Sequence, residues 1–78
     1  RIQLAALKSE DRARALWTRT QGRNKDLLGG LTLTIEAITV ATKGRFYRVQ
    51  GGSVAEADAR RICAVLKTRN QACLVVRR

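Results

Sequence analysis

The chain repeats itself, and the repeat limits the folds open to it. Arg1-Ile2-Gln3-Leu4-Ala5-Ala6-Leu7 resembles Arg48-Val49-Gln50-Gly51-Gly52-Ser53-Val54 at an offset of 47 residues. The helix-patterned stretches that follow, Ala13-x-x-Leu16-Trp17 and Ala59-x-x-Ile62-Cys63, match at an offset of 46. A loop between strand and helix absorbs that slip. Each amphipathic element must bury its apolar side against another, so two strand-then-helix units describe a small sheet covered by two helices. Two copies are too few for a solenoid, and the repeat reads as pseudo-symmetry inside one domain.

Along the chain, residues 1–7 alternate Ile2 and Leu4 against Gln3 and Ala5, the period of a half-buried strand. Ser9 offers a helix N-cap, with Glu10 and Asp11 in the first turn, where the helix dipole favours acids. Ala13, Leu16, Trp17 and Thr20 then make one helical face, and Gly22 is the expected stop. That phase puts Trp17 in the core. Leu27 and Leu28 are expected to tuck under the sheet edge before Gly29-Gly30 turns the chain. Residues 31–40 are the clearest strand; the apolar phase slips after Ala37 to Ile38 and Val40, which predicts a bulge there. Thr42-Lys43-Gly44 turns into a third strand over 45–51. Ser53-x-x-Glu56 is a capping-box pattern opening a second helix to about Arg69, with Ala55, Ala59, Ile62, Cys63 and Leu66 inward. Residues 72–76 close the chain as a strand.

The order βαββαβ is most simply an α+β, ferredoxin-like or RNP-like fold: a four-stranded antiparallel sheet in the order 4-1-3-2, with both helices on one face. The repeated strands 1 and 3 then lie side by side in the centre, and the other face of the sheet is left bare as a binding platform.

The chemistry available is that of binding. The chain has no histidine, hence no histidine-based triad or metal ligand. Glu10, Asp11, Glu56 and Asp58 sit at helix starts, where capping explains them, and Asp26 and Glu36 offer no facing carboxylate pair. Gly51-Gly52 lacks the lysine and spacing of a phosphate loop. No catalytic residue, metal or cofactor is expected. The 78 residues carry 16 Lys and Arg against six Asp and Glu, a net charge of +10 that attracts nucleic acids, acidic lipids and acidic polysaccharides. Twelve of the basic residues are arginine, suited to bidentate recognition of carboxylate or phosphate. No apolar run reaches a membrane span and no signal peptide is visible; strand-like sequence at both ends suggests one domain, 1–78, excised from a longer protein.

Cys63 falls on the inward face of the second helix and Cys73 on the strand that packs beneath it, so the pair is either a disulfide or two buried thiols. A bond would close a short loop and imply an oxidising compartment.

Strand parity sorts the bare face. With Ile2, Leu4, Tyr47, Val49, Cys73 and Val75 turned to the helices, Gln3, Ala5, Phe46, Arg48, Gln50, Leu74 and Val76 turn outward. A phenyl ring, a guanidinium and two amides on one sheet face suit a carbohydrate or a base. Phe46 and Leu74 are alternatively covered by another domain.

The same residues carry a resemblance. Ile2-Gln3-Leu4 is similar to the first-strand Val-Gln-Leu, and Tyr47-Arg48-Val49-Gln50 to the third-strand Tyr-Arg-Val-Arg, of the SPOR (sporulation-related repeat) domain. Trp17…Asp26-Leu27-Leu28-Gly29-Gly30-Leu31 and Ala72-Cys73-Leu74-Val75-Val76-Arg77 resemble forms found in alphaproteobacterial members, and the cysteine pair fits that group. The resemblance covers nearly the whole chain. It implies a periplasmic or envelope module of cell-division proteins, membrane-anchored or secreted, that binds denuded peptidoglycan glycan strands, those stripped of stem peptides by amidases. Position for position it implies Gln3, Ala6, Phe46, Arg48 and Leu74 as glycan contacts, to which parity adds Gln50. Stripping frees a lactyl carboxylate on each N-acetylmuramic acid, so the strand becomes a polyanion that an arginine distinguishes from peptide-bearing wall. Other divisome or envelope proteins are further partners of such a module. The chain departs from the family pattern at Ala5, often glycine, at Leu7, often aromatic, and at Gly51-Gly52-Ser53-Val54, usually Val-Gly-Pro-Phe.

Two other readings share the topology. A protein-interaction module would use the same face to dock an envelope protein, with glycan binding lost. An RRM-type RNA-binding domain would place the RNP1 pattern on Lys43–Gln50. That pattern needs outward aromatics at its third, fifth and eighth places, where Arg45, an inward Tyr47 and Gln50 stand, so nucleic acid is not the expected ligand.

Overall fold

The computed structural model describes residues 1–77. Strand β1 (Ile2–Leu7) leads into helix α1 (Glu10–Arg23) and a single helical turn, α2 (Lys25–Leu28). The hairpin β2 (Thr32–Val40) and β3 (Gly44–Gly52) follows, then α3 (Glu56–Thr68) and a short β4 (Leu74–Val75). The strands pair antiparallel in the order β2-β3-β1-β4, which is the expected 4-1-3-2 read from the other edge.

One core lies between the sheet and the helices. Ile2, Leu4 and Val49 from the sheet meet Ala13 and Trp17 of α1 and Ala59, Ile62 and Leu66 of α3, with Leu28 of α2 fully buried beside them. Trp17, 5% exposed, is a core residue as its helical phase predicts. Its indole occupies the space over Gly51: a Cβ built there would stand 2.5 Å from the Trp17 ring. The glycine on β3 is therefore what lets α1 sit this close to the sheet.

Local chemistry explains the boundaries. The Ser9 hydroxyl accepts a hydrogen bond from the Arg12 amide at 3.2 Å and starts α1. The helix runs through the expected stop at Gly22 to Arg23. There Asn24 ends it, its amide donating to the Thr20 carbonyl at 2.9 Å, while Gln21 donates to the carbonyls of Leu28 and Leu31 and holds the next turn in place. The capping box expected at Ser53 does not form. Val54 packs against the core and keeps the chain extended through Ala55, so α3 opens at Glu56, whose carboxylate pairs with Arg60 and Arg77 instead. At the far end Asn70 adopts a left-handed φ of 62°, with the Gln71 amide donating to Leu66 and the Asn70 amide to Lys67. That pair of bonds stops α3 and turns the chain back toward β4. Arg69 ties this corner down by donating to Asn24 and to both oxygens of Asp26, and its hydrogen bonds lower the Asp26 carboxyl below its ordinary pKa.

The expected bulge is absent from β2, whose register against β3 is continuous from Thr32↔Gly52 to Val40↔Gly44. It lies in β1: Gln3 pairs with Gln50 and Ala5 with Val49, so Leu4 and Ala5 together oppose one residue. The last strand is shorter than expected, yet the backbones of Arg1 and Val76 exchange hydrogen bonds beyond it.

Cys63 and Cys73 are bonded, their Cα atoms 5.0 Å apart. The bridge staples α3 to the start of β4 where few strand hydrogen bonds do so. By loop entropy it contributes about 2–3 kcal/mol. A Cys63→Ala/Cys73→Ala variant is expected to melt well below the parent while binding its ligand unchanged when folded, which a thermal scan and a binding isotherm together check.

Candidate functional site on the outer sheet face

The register arranges the outward side chains in rows across the strands. Leu74 of β4, Gln3 of β1, Gln50 of β3 and Thr34 of β2 form the first row. Ala6, Arg48 and Glu36 form the second, and Phe46 with Ile38 the third. Successive rows lie about 7 Å apart, two residues of strand rise. Gln3, Ala6, Phe46, Arg48, Gln50 and Leu74 thus share one face.

The bulge in β1 decides which alanine belongs there. Simple alternation puts Ala5 outward, but Ala5 sits in the Val49 row, and the exposed Ala6 takes its place opposite Arg48. Its methyl group leaves the guanidinium open from that side.

Each polar residue has neighbours that alternation alone did not reveal. Gln50 faces outward yet is 2% exposed; its amide donates to Gln3 at 3.0 Å, and its carbonyl accepts from Arg1 at 3.2 Å. Its role is to hold Gln3 and Arg1 in fixed positions on the surface. Arg1 lies across Gly52, where a Cβ would come within 2.9 Å of its side chain, so this glycine makes room for a cation on the platform. Arg48 donates to Glu36, its cross-strand partner, at 2.9 Å, and both groups remain partly exposed. The Lys8 ammonium stands 5.6 Å from the centre of the Phe46 ring. Leu74 is 59% exposed at the edge.

Ile38 and Val40, expected inward past a bulge, belong to this outer face and extend the apolar end around Phe46. Arg1, Glu36 and Ile38 are the residues that sequence reasoning missed here. Glu36 shares the phase of Thr32 and Thr34, alternating with Leu31, Leu33 and Ile35, which gives its face but not its partner across the strands.

No group of three or more His, Cys, Asp or Glu among the described residues is placed to hold a metal ion, and no helix among them is long and apolar enough to cross a membrane.

A four-stranded sheet backed by two helices, with a cationic, amide-rich and partly apolar open face, defines a small binding module. The SPOR domain family model matches residues 1–77, and the chain belongs to that family. SPOR domains are non-catalytic, peptidoglycan-binding modules, usually of cell-division proteins, and occur in envelope or periplasmic proteins; the Cys63–Cys73 bond accords with an oxidising compartment. Comparison with curated proteins and with solved structures found no significant match.

Proposed function

We propose that this domain binds denuded glycan strands on the outer sheet face, with Gln3, Ala6, Phe46, Arg48 and Leu74 as the contact set and the buried Gln50, expected from parity as a contact, positioning Gln3 instead, within a longer membrane-anchored or secreted envelope protein. The observation that carries the reading is the placement of Arg48 on a central strand, flanked by the Gln3–Gln50 amide pair in one row and by Phe46 in the other. A lactyl carboxylate finds a guanidinium there, an N-acetyl group finds amide donors and acceptors, and the apolar face of a sugar ring finds Phe46 or Leu74. Stem peptides would cap the carboxylate and crowd the platform, so the preference is for stripped strands.

The test is retention of the purified domain on sacculi with and without prior amidase digestion. Digestion is expected to raise retention several-fold, and 1 M salt to reduce it, since screening at that strength shortens charge interactions to about 3 Å. Equal retention on both substrates refutes the preference for denuded strands, and no retention on either refutes the glycan site.

A further inference from the structure

A second basic surface, separate from the outer sheet face, lies on the helical side of the domain. Arg12, Arg19 and Arg23 fall at i, i+7 and i+11 on α1, one face of the helix, and all three are exposed. Two adjoining hollows follow that face. One, about 380 Å³, is lined by Arg12 and Leu7; the other, about 320 Å³, by Arg23 and Arg69; Leu16 and Arg19 belong to both. They make a groove with a half-buried apolar floor at Leu16 and arginines along its length, ending at Asn70 beyond α3.

Three of the four arginines in this groove are uncompensated. Of the six acids, Glu10, Glu36, Glu56 and Asp58 pair with arginines elsewhere, Asp26 pairs with Arg69 at the groove's end, and Asp11 lines neither hollow. Arg12, Arg19 and Arg23 make no ion pair among the described residues. We infer that the groove binds an extended acidic peptide segment of a protein partner. From Arg12 to Arg23 the helix rises about 17 Å, the reach of five or six extended residues. Carboxylates on such a segment meet the guanidiniums bidentately, and an apolar side chain between them meets Leu16. Two other polyanions fit less well. A flat bilayer cannot enter a concave groove, and single-stranded nucleic acid lacks an aromatic side chain there on which to stack. Because α1 packs on the opposite side of the sheet from the Arg48 platform, the peptide and a ligand on that platform bind together without competing, and the inference stands whether or not the glycan reading does.

The test is fluorescence anisotropy of a labelled glutamate peptide carrying leucine at every third position, at about 0.15 M salt. Arg19→Gln/Arg23→Gln is compared with Lys43→Gln/Arg45→Gln, which removes the same charge at the β2–β3 turn. The groove variant is expected to lose about tenfold or more in affinity, the turn variant no more than about twofold. Retention on amidase-treated sacculi should be unchanged in the groove variant. Equal losses in both variants, or parent-like binding by the groove variant, overturn the site. Failure of the peptide to bind overturns the occupant, and groove-dependent binding of anionic vesicles or single-stranded RNA in its place would identify another.

Discussion

Gly51→Ala is expected to destabilise this domain strongly. The new Cβ would stand 2.5 and 2.7 Å from two carbons of the Trp17 ring. Trp17 is 5% exposed and wedged among core side chains, so the ring cannot swing aside without opening a gap elsewhere. Overpacking of this kind costs about 1–3 kcal/mol, only partly offset by the lower backbone entropy of alanine. For a domain this small, the melting temperature should fall by roughly 5–20 °C. Gly22→Ala provides the opposite control: a Cβ there meets nothing within 4 Å, and alanine in a helix interior should stabilise by about 0.5–1 kcal/mol. Trp17 is the only tryptophan, so its fluorescence follows both melts. In a Trp17→Phe background, which removes the clashing edge of the indole, the penalty of Gly51→Ala should shrink. If Gly51→Ala melts with the parent, α1 does not rest on β3 as described.

That contact also accounts for one departure from the family's usual sequence. Gly51 and Gly52 stand on opposite faces of β3, the first accommodating Trp17 and the second Arg1. Either demand could have been met by a smaller neighbour, which is why a lone sequence does not disclose it. The strand order, by contrast, was legible. The repeat, the alternation in each strand and the phase of Ala13, Trp17, Ala59 and Ile62 all ask for one sheet with helices on a single face.

The two errors of strand phase share one origin. An apolar spacing of three residues occurs twice, from Leu4 to Leu7 in β1 and from Ile35 to Ile38 in β2. In β1 it marks a bulge, because Leu4 and Leu7 both serve the core. In β2 it marks a strand that is apolar on both faces toward its end, Ile35 packing against the core and Ile38 lying opposite Phe46. Periodicity reports that a residue avoids water and not which side shelters it. The consequence for the site is direct: the first misreading placed Ala5 where Ala6 stands, and the second turned Ile38 away from the face it shares with Phe46.

Glu36 changes what is expected of Arg48. The guanidinium has five N–H donors, and one bond to Glu36 leaves others for an incoming carboxylate. Yet Glu36 also brings a negative charge to the place where a polyanion must dock. Arg48→Ala should weaken binding of denuded glycan about tenfold or more, from the roughly 1.5–3 kcal/mol of a charge-assisted hydrogen bond. It also leaves Glu36 without this partner, which adds repulsion to the loss. Thermal stability should fall by no more than about 1 kcal/mol, because the pair is partly exposed and water screens it. Glu36→Gln keeps a carbonyl for Arg48 but removes the charge, and should strengthen binding several-fold. A double variant, Arg48→Ala/Glu36→Gln, should recover part of what Arg48→Ala loses, the part owed to repulsion. Arg60→Ala, which breaks an exposed pair with Glu56 on α3, should leave affinity unchanged. Titration with soluble denuded glycan separates the cases. If Glu36→Gln weakens binding, Glu36 contacts the ligand itself and acts as an acceptor for sugar hydroxyls. If Arg48→Ala binds as the parent does, the polyanion is held by Arg1 and Lys8 at the two ends of the face, and the central strand only carries them.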